Sequence, residues 1–193
     1  MTLEEIKNAI IQDPENNSFR KKGWLPLYSV SENSKIAIIG QAPGLKAQEK
    51  NKAWDDASGK RLREWLGVNE EIFYNPDFFA ILPMDFYYPG KGKSGDLPPR
   101  KEFARIWHQL IFENTKDLKL ILLVGSYAQA FYLADTKKER LTETVKNFQS
   151  YLPQFFPLVH PSPRNQIWQS KNPWFDIEVL PVLKKTVKQI INS

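Results

Sequence analysis

The sequence predicts an α/β fold, a single three-layer α/β/α domain with a central, mainly parallel four-stranded sheet. Four short apolar runs rich in β-branched or aromatic residues indicate buried strands, over residues 35–39, 78–82, 118–124 and 155–159. Helical patterns separate these runs, and such alternation is typical of a parallel sheet covered on both faces. A chain of 193 residues is long enough to bury that sheet in one domain, residues 1–193, with residues 1–34 as a helical lead-in.

Capping residues and the helical spacing of apolar residues predict the helices. Thr2 followed by Glu5 has the pattern of a capping box and predicts a first helix through about Ile11. Ser58 is the predicted cap of a helix that Gly67 ends. Further helices are predicted over residues 101–112, 141–148 and 173–191, and from Ser126 onward.

Residues 83–100 interrupt the alternation of strands and helices. This segment holds four prolines, three glycines and two lysines. Proline and glycine at this density predict a long loop without regular structure. Long loops in compact domains are usually functional or disordered, so the segment is of functional interest.

The composition narrows the classes of function and of chemistry. Lysine and arginine total 27 against 22 acidic residues, which gives a net charge of +5 and a pI near 9.2. This balance favours a polyanionic partner such as nucleic acid, although a solvated basic surface explains it equally well. The absence of cysteine excludes disulfides, thiol nucleophiles and cysteine-ligated metal or iron–sulfur sites. No signal peptide or membrane span is recognisable, so we expect a cytoplasmic protein without membrane contact.

Two short loops follow the first and the fourth predicted strand. The first loop, residues 40–44, has the sequence Gly-Gln-Ala-Pro-Gly, and the second loop, residues 160–165, has the sequence His-Pro-Ser-Pro-Arg-Asn. Because the carboxyl ends of parallel strands meet at one edge of a sheet, we expect both loops to face one pocket. The glycines allow close approach of the backbone to a ligand, although a tight structural turn explains the first loop as well.

His160 is the candidate catalytic residue of the second loop. Pro161 and Pro163 fix the backbone around it, so its side chain is able to donate a hydrogen bond to charge that develops on a leaving group. A lone histidine is more often structural, but the strand-end position and the serine, arginine and asparagine that follow favour a functional role. His108, which lies beside Trp107 on a predicted helix, is predicted to be structural.

The two loops resemble the sequence motifs of the uracil-DNA glycosylase superfamily. The first loop is similar to the Gly-Glu-Ala-Pro-Gly motif of its thermophile-type iron–sulfur family. The second loop is similar to the His-Pro-Ser-Pro-Arg-Asn motif of its single-strand-selective monofunctional family. Trp54 stands where the first of these families has a stacking phenylalanine, and residues 122–128 resemble its third strand and the turn that follows. The resemblance extends from about Lys35 to the C-terminal helix.

This resemblance implies a monofunctional DNA glycosylase of base excision repair, which flips uracil or a related deaminated base out of DNA and hydrolyses its N-glycosidic bond. His160 would stabilise the negative charge on the O2 atom of the leaving base. Gly40, Gln41 and Ala42 would form the base-binding wall. The amide of Gln41 would bond to the base or orient water but cannot act as a general base. Trp54 would be the platform on which the base stacks, and its alternative role is that of a core tryptophan.

DNA, single-stranded or double-stranded, is the partner that the resemblance implies. Main-chain amides around Ser162, together with Lys91 and Lys93, would bind phosphates, although the lysines also fit a solvated turn. Arg164 and Asn165 stand where related enzymes push a residue into the duplex, and Arg164 alternatively binds a phosphate. We expect a monomer without a cofactor.

The sequence departs from the superfamily at the residue that handles the attacking water. Related enzymes often use an Asp or Asn in the first motif or near the end of the second strand, where this chain has Ala42 and Ala80. Asp56 is our candidate for orienting the water, with Asp85 as a weaker one. Asp56 fits equally well as a charge at a helix N-terminus. The missing cysteines predict that the chain has no iron–sulfur cluster, and we expect no metal.

Two other functions therefore stay open. One is a catalytically weak or inactive nucleic-acid-binding module of the same fold, which predicts salt-sensitive DNA binding without base release. The other is a hydrolase of free nucleosides or nucleotides, for which the basic surface of Arg164 and residues 91–101 would be superfluous.

Overall fold

The computed structural model describes residues 1–134 and 140–193. Its strands are β1 (Ile36–Ile39), β2 (Phe79–Ile81), β3 (Lys91–Gly92), β4 (Gly95–Asp96), β5 (Leu120–Val124) and β6 (Phe155–Leu158). Four of them form one sheet in the order β2-β1-β5-β6, in which every neighbouring pair is parallel. The predicted four-stranded parallel sheet is confirmed, and each strand is one or two residues shorter than predicted.

Ten α-helices are present in the described part of the chain: α1 (Leu3–Gln12), α2 (Asn17–Lys21), α3 (Leu45–Lys50), α4 (Ala57–Leu66), α5 (Glu70–Tyr74), α6 (Phe103–Phe112), α7 (Ser126–Tyr132), α8 (Leu141–Lys146), α9 (Gln166–Lys171) and α10 (Leu180–Ile191). The predicted last helix is divided, since a π-helical turn over Phe175–Val179 precedes α10. None of the helices in the described residues has both the length and the hydropathy that crossing a bilayer requires.

Alternation along the strands builds a core on each face of the sheet. In β1, Ile36 and Ile38 pack with Leu62 of α4 and Leu183 of α10, whereas Ala37 and Ile39 pack with Ile6 of α1 and Ile111 of α6. Every residue of β1 is fully buried because both faces are covered. The predicted three layers are thus helices, sheet and helices.

The lead-in forms the helix that the sequence predicts. Thr2 and Glu5 make both bonds of a capping box, since the Thr2 hydroxyl accepts from the amide of Glu5 and the Glu5 carboxylate accepts from the amide of Thr2. Further along, Ser29 pairs with Ile81 in an isolated antiparallel bridge at the free edge of β2. Residues beyond the helices of the lead-in therefore extend the sheet edge.

The prediction that residues 83–100 lack regular structure is wrong. Strands β3 and β4 form an antiparallel hairpin, which we call the lysine ribbon (residues 91–96), closed by the two-residue turn Lys93–Ser94. Gly95 has a φ of +104°, a conformation that glycine adopts without strain. Glycine density here signals a tight hairpin rather than irregular backbone.

Candidate active site

A cavity of ≈ 180 Å³ opens beside the carboxyl ends of β1, β5 and β6. The first loop contributes Gln41 to its wall, and the second loop contributes His160 and Asn165. The remaining lining residues come from the end of β5, the turn into α7 and the start of α8: Val124, Gly125, Ser126, Tyr127 and Leu141. The two loops therefore meet at one pocket, as their strand-end positions predict.

Hydrogen bonds within the second loop hold His160 in place. The carboxamide of Asn165 donates to the carbonyl oxygen of His160 (2.8 Å). The Ser162 hydroxyl accepts from the amide of Arg164 (3.2 Å) and caps a 3₁₀ turn over Pro163–Asn165. Because the loop is closed on itself in this way, the backbone fixes the position from which the imidazole extends.

The environment of His160 favours its neutral form. Burial lowers the pKa of the imidazole below 6.5, and the negative charge of Asp56 raises it in part. At pH 7 the ring is therefore neutral. A neutral imidazole still carries one N–H group, so it is able to donate a hydrogen bond to an anionic oxygen.

Trp54 lies against the imidazole of His160. The two rings are stacked with their centroids 5.6 Å apart and their planes inclined by 29°. The indole also borders Gly40, where a Cβ atom would be only 3.1 Å from Cζ2 of Trp54. Trp54 is half-buried at the edge of the core, so the structure brings it to the first loop and to His160 without enclosing it.

A family model of the uracil DNA glycosylase superfamily matches residues 27–184, which is more than half of the chain. The chain belongs to this superfamily. Membership confirms the resemblance inferred from the two loops, and it agrees with the observed α/β architecture. It indicates a glycosylase type of function with DNA as the partner.

Asp56 caps helix α4 in this superfamily member. One of its carboxylate oxygens, Oδ1, accepts from the amide of Gly59 at 2.9 Å. The prediction that Ser58 caps this helix is wrong, since Ser58 lies inside α4 and is buried. Its neighbour Asp55 instead pairs with Lys50 and Lys52, and these bonds lower its pKa. Of these two carboxylates, Asp56 is the one whose charge raises the pKa of His160.

Asp85, the weaker candidate for orienting water, is fully buried and fully engaged. Its carboxylate accepts two bonds from the guanidinium of Arg100 (2.7 and 2.8 Å), one from the amide of Arg100 and one from the amide of Tyr87. Four donors satisfy the lone pairs of a carboxylate. Asp85 therefore ties the two ends of residues 83–100 together below the lysine ribbon.

His108 has the structural role that the sequence predicts. Its Nε2 lies 2.9 Å from the carbonyl oxygen of Pro83, so Nε2 must carry the hydrogen, and Nδ1 then accepts from the Tyr132 hydroxyl at 2.6 Å. Burial lowers the pKa of His108 to about 4. The neutral ring fixes the chain immediately after β2.

Three exposed basic side chains lie on the second loop and on the ribbon that borders the first loop. Arg164 is exposed on the second loop, and Lys91 and Lys93 are exposed on the lysine ribbon. The ribbon borders the first loop, because a Cβ atom at Gly44 would lie 3.9 Å from the carboxylate of Asp96 in β4. Ribbon and second loop thus present their charges near the pocket.

Several residues near the pocket were not predicted as site residues. Ser126 and Tyr127 line the cavity, and Arg61 of α4 donates to the carbonyl oxygen of Ser162 at 3.5 Å. Gly125 directly follows the third central strand, so its strand-end position was a usable signal for this turn. Arg61 has no such signal in the sequence.

Within residues 1–134 and 140–193, no three His, Asp or Glu side chains are grouped as a metal ion would require.

Proposed function

We propose that this protein is a monofunctional DNA glycosylase that hydrolyses the N-glycosidic bond of uracil or a related deaminated base in DNA. The observation that carries the proposal is the convergence of Gln41 and His160 on one cavity, with Trp54 stacked against the imidazole. Membership of the uracil DNA glycosylase superfamily and the basic groups at the pocket support it.

His160 stabilises the leaving base in this proposal. When the bond between C1′ and N1 of uracil breaks, its electron pair goes to the uracil ring, where O2 carries negative charge, while water adds its oxygen to C1′ and one of its protons ends on the departing base or in solvent. The N–H group of the neutral imidazole donates to that oxygen. The closed second loop holds the donor in position before the reaction, so little reorganisation is needed.

The first loop and Trp54 form adjoining walls of the base site in this proposal. The indole offers a flat apolar surface for stacking, which offsets part of the energy lost when a base leaves the helix. Gly40 gives the indole room against the first loop, Ala42 allows the base to approach the backbone closely, and the amide of Gln41 bonds to the polar edge of the base. The contact between Gly40 and the indole edge fixes these two parts of the wall relative to each other.

Asp56 orients the attacking water. Its Oδ1 atom caps α4, whereas Oδ2 accepts no hydrogen bond from any described residue. The carboxylate is also the charge that acts on His160. Asp85 is not available for this role, because its oxygens are bonded to Arg100 and Tyr87.

DNA is held through its phosphates. Lys91 and Lys93 neutralise phosphates, and the amide of Ser162 donates to one, since Pro161 and Pro163 carry no N–H group and the amide of Arg164 is bonded to the Ser162 hydroxyl. The exposed side chain of Arg164 enters the duplex or binds a phosphate. Asn165 bonds to the backbone of His160, so its contribution is to keep the second loop in shape beside the DNA.

Oligonucleotides test the proposal directly. Each contains one uracil, hypoxanthine or xanthine, single-stranded or paired, and alkaline cleavage after incubation reports abasic sites. We expect base release by the wild type, loss of release in His160→Ala, and wild-type release in Glu64→Gln, an exposed position of α4. Borohydride should trap no covalent complex, since a monofunctional enzyme forms no Schiff base.

Two outcomes would replace the proposal. Salt-sensitive DNA binding without base release on any substrate would identify a binding module, the function that Ala42 in place of a water-activating residue favours. Release from free nucleosides, with no measurable DNA affinity, would identify a nucleoside hydrolase.

A further inference from the structure

Trp54 has a backbone conformation that bulky residues rarely adopt. Its φ is +59°, in the left-handed region, where only Asn51 joins it among the non-glycine residues that the structure describes. Such a conformation persists only where the surroundings enforce it. The contacts around residues 53 and 54 must therefore hold this conformation.

Three contacts enforce the conformation of this segment. Nη1 of Arg63 donates to the carbonyl oxygen of Trp54 at 3.1 Å. The hydroxyl of Tyr74 donates to the carbonyl oxygen of Ala53 at 2.8 Å. Gly59 packs so closely that a Cβ atom there would lie 1.7 Å from the Trp54 carbonyl oxygen. The two carbonyl groups are thus held from α4 and α5.

Arg63 is itself held in a way that leaves its donors for Trp54. Its guanidinium lies over the rings of Phe73 (5.4 Å) and Tyr74 (5.8 Å), and the side chain is partly buried. It forms no ion pair with a carboxylate in the described part of the chain. A planar guanidinium stacked on aromatic rings is a rigid donor, which lysine cannot reproduce.

We infer that Arg63 is a positioning residue: by bonding to the carbonyl group of Trp54, it fixes the indole against Gly40 and His160. This inference rests on the proposed function of the site. Arg63 acts on the base only through Trp54. Loss of the guanidinium releases the carbonyl, the backbone relaxes from its left-handed conformation, and the indole leaves the imidazole. The indole of Trp54 is then still available but no longer in the position for stacking on the base.

NMR of the histidine ring protons tests the placement without any substrate. The chain has two histidines, so His108 serves as an internal reference for His160. The difference in His160 shift between wild type and Trp54→Leu defines the ring-current effect of the indole. We expect Arg63→Met and Tyr74→Phe to move the His160 chemical shift toward the value in Trp54→Leu. Arg63→Lys should move it less than Arg63→Met does. The control Glu64→Gln should leave it unchanged.

Single-turnover base release tests the consequence. We expect Arg63→Met to lower the rate about 10-fold to 100-fold, the effect of a misplacement of roughly 1 Å, with an unchanged salt dependence of DNA binding. A salt slope reduced by about one would instead identify Arg63 as a phosphate contact and overturn the inference.

The two hypotheses fail in different ways. If the wild type releases no base from any substrate, the proposed function is wrong, whereas the ring-current shift still decides the role of Arg63. If folded Arg63→Met retains the full ring-current shift, Arg63 does not position Trp54, and if Arg63→Met fails to fold, the same result for folded Arg63→Lys and Tyr74→Phe together decides against it. Urea unfolding of each variant identifies any that fail to fold, and Tyr74→Phe removes only one hydroxyl group.

Discussion

Gly59→Ala should misplace Trp54 by a steric route that leaves every polar group of the site intact. The new Cβ atom would lie 1.7 Å from the carbonyl oxygen of Trp54 and 2.5 Å from its carbonyl carbon, whereas ordinary contacts begin at 3.4 Å. The Trp54 backbone or the first turn of α4 must therefore move by about 1.7 Å, the difference between 3.4 and 1.7 Å. A shift of this size separates the indole from Gly40 and His160.

Two measurable effects follow. Overpacking of this kind destabilises by about 1–3 kcal/mol, and the higher helix propensity of alanine returns at most about 1 kcal/mol. We expect a net loss of roughly 1–2 kcal/mol in urea unfolding. Base release should fall about 100-fold in single turnover, as for other misplacements of about 1 Å.

Glu64→Ala is the matched control, because Glu64 is an exposed residue of the same helix. Its unfolding free energy and rate should stay close to those of the wild type. Gly59→Ala with wild-type activity and an unchanged His160 ring-current shift would refute the reasoning, since the clash would then be absorbed without moving Trp54.

Three further predictions concern pH and salt. Burial lowers the pKa of His160 below 6.5 and the neutral form is active, so the rate of base release should stay constant from pH 8 to 6.5 and fall only below pH 6.5. Asp56→Asn should shift that fall to lower pH, because the charge of Asp56 raises the pKa of His160. An inflection above pH 6.5 would contradict the role of neutral His160. His108 has a pKa near 4 in the folded protein and 6.5 in the unfolded chain, so the free energy of unfolding should fall by about 3 kcal/mol as the pH falls from 6.5 to 4, measured by urea unfolding. If His108→Gln shows the same pH dependence as the wild type, His108 is not the cause of this loss. Replacing Lys91 and Lys93 by methionine should reduce the salt slope of DNA binding by about two, and an unchanged slope would mean that the ribbon does not contact phosphates.

The sheet was predictable because each of its strands is buried on both faces. A residue pattern such as Ile36-Ala37-Ile38-Ile39 is apolar throughout, and the helices on either side account for that. The end of α4 was predictable for a similar local reason, since Gly67 adopts a φ of +69° at its C-cap. Signals confined to a few consecutive residues were sufficient in these cases.

The lysine ribbon was not predictable, because its stability comes from distant partners. The base of the hairpin is closed by Asp85 and Arg100, which lie 15 residues apart and show no periodic pattern. Of the prolines and glycines that suggested irregular backbone, Gly92 and Gly95 instead flank the turn of the hairpin, and Gly95 has a φ of +104°. Composition alone does not distinguish these two outcomes.

The site was predictable in its loops but not in its internal contacts. Strand-end positions placed Gln41 and His160 at one pocket, and they line the same cavity. The stacking of Trp54 on His160 depends on the φ of Trp54 and on a hydrogen bond from Arg63. In the sequence, Arg63 is one more charged residue of an amphipathic helix, so its contact with a carbonyl group carries no signal.

The handling of water depends on how Asp56 divides its two oxygens. Asparagine caps a helix about as well as aspartate, so Asp56→Asn keeps the bond to Gly59 and removes only the charge, whereas Asp56→Ala removes both. If Asp56 orients water, Asp56→Ala should slow base release by about 10²-fold or more, and Asp56→Asn, which keeps an oxygen that accepts from water, should slow it less. Asp56→Ala alone should also unfold about 1 kcal/mol more easily. If Asp56→Ala retains the wild-type rate, Asp56 is a cap only. Departure of the base, stabilised by His160, is then sufficient to drive the reaction with water that no carboxylate holds.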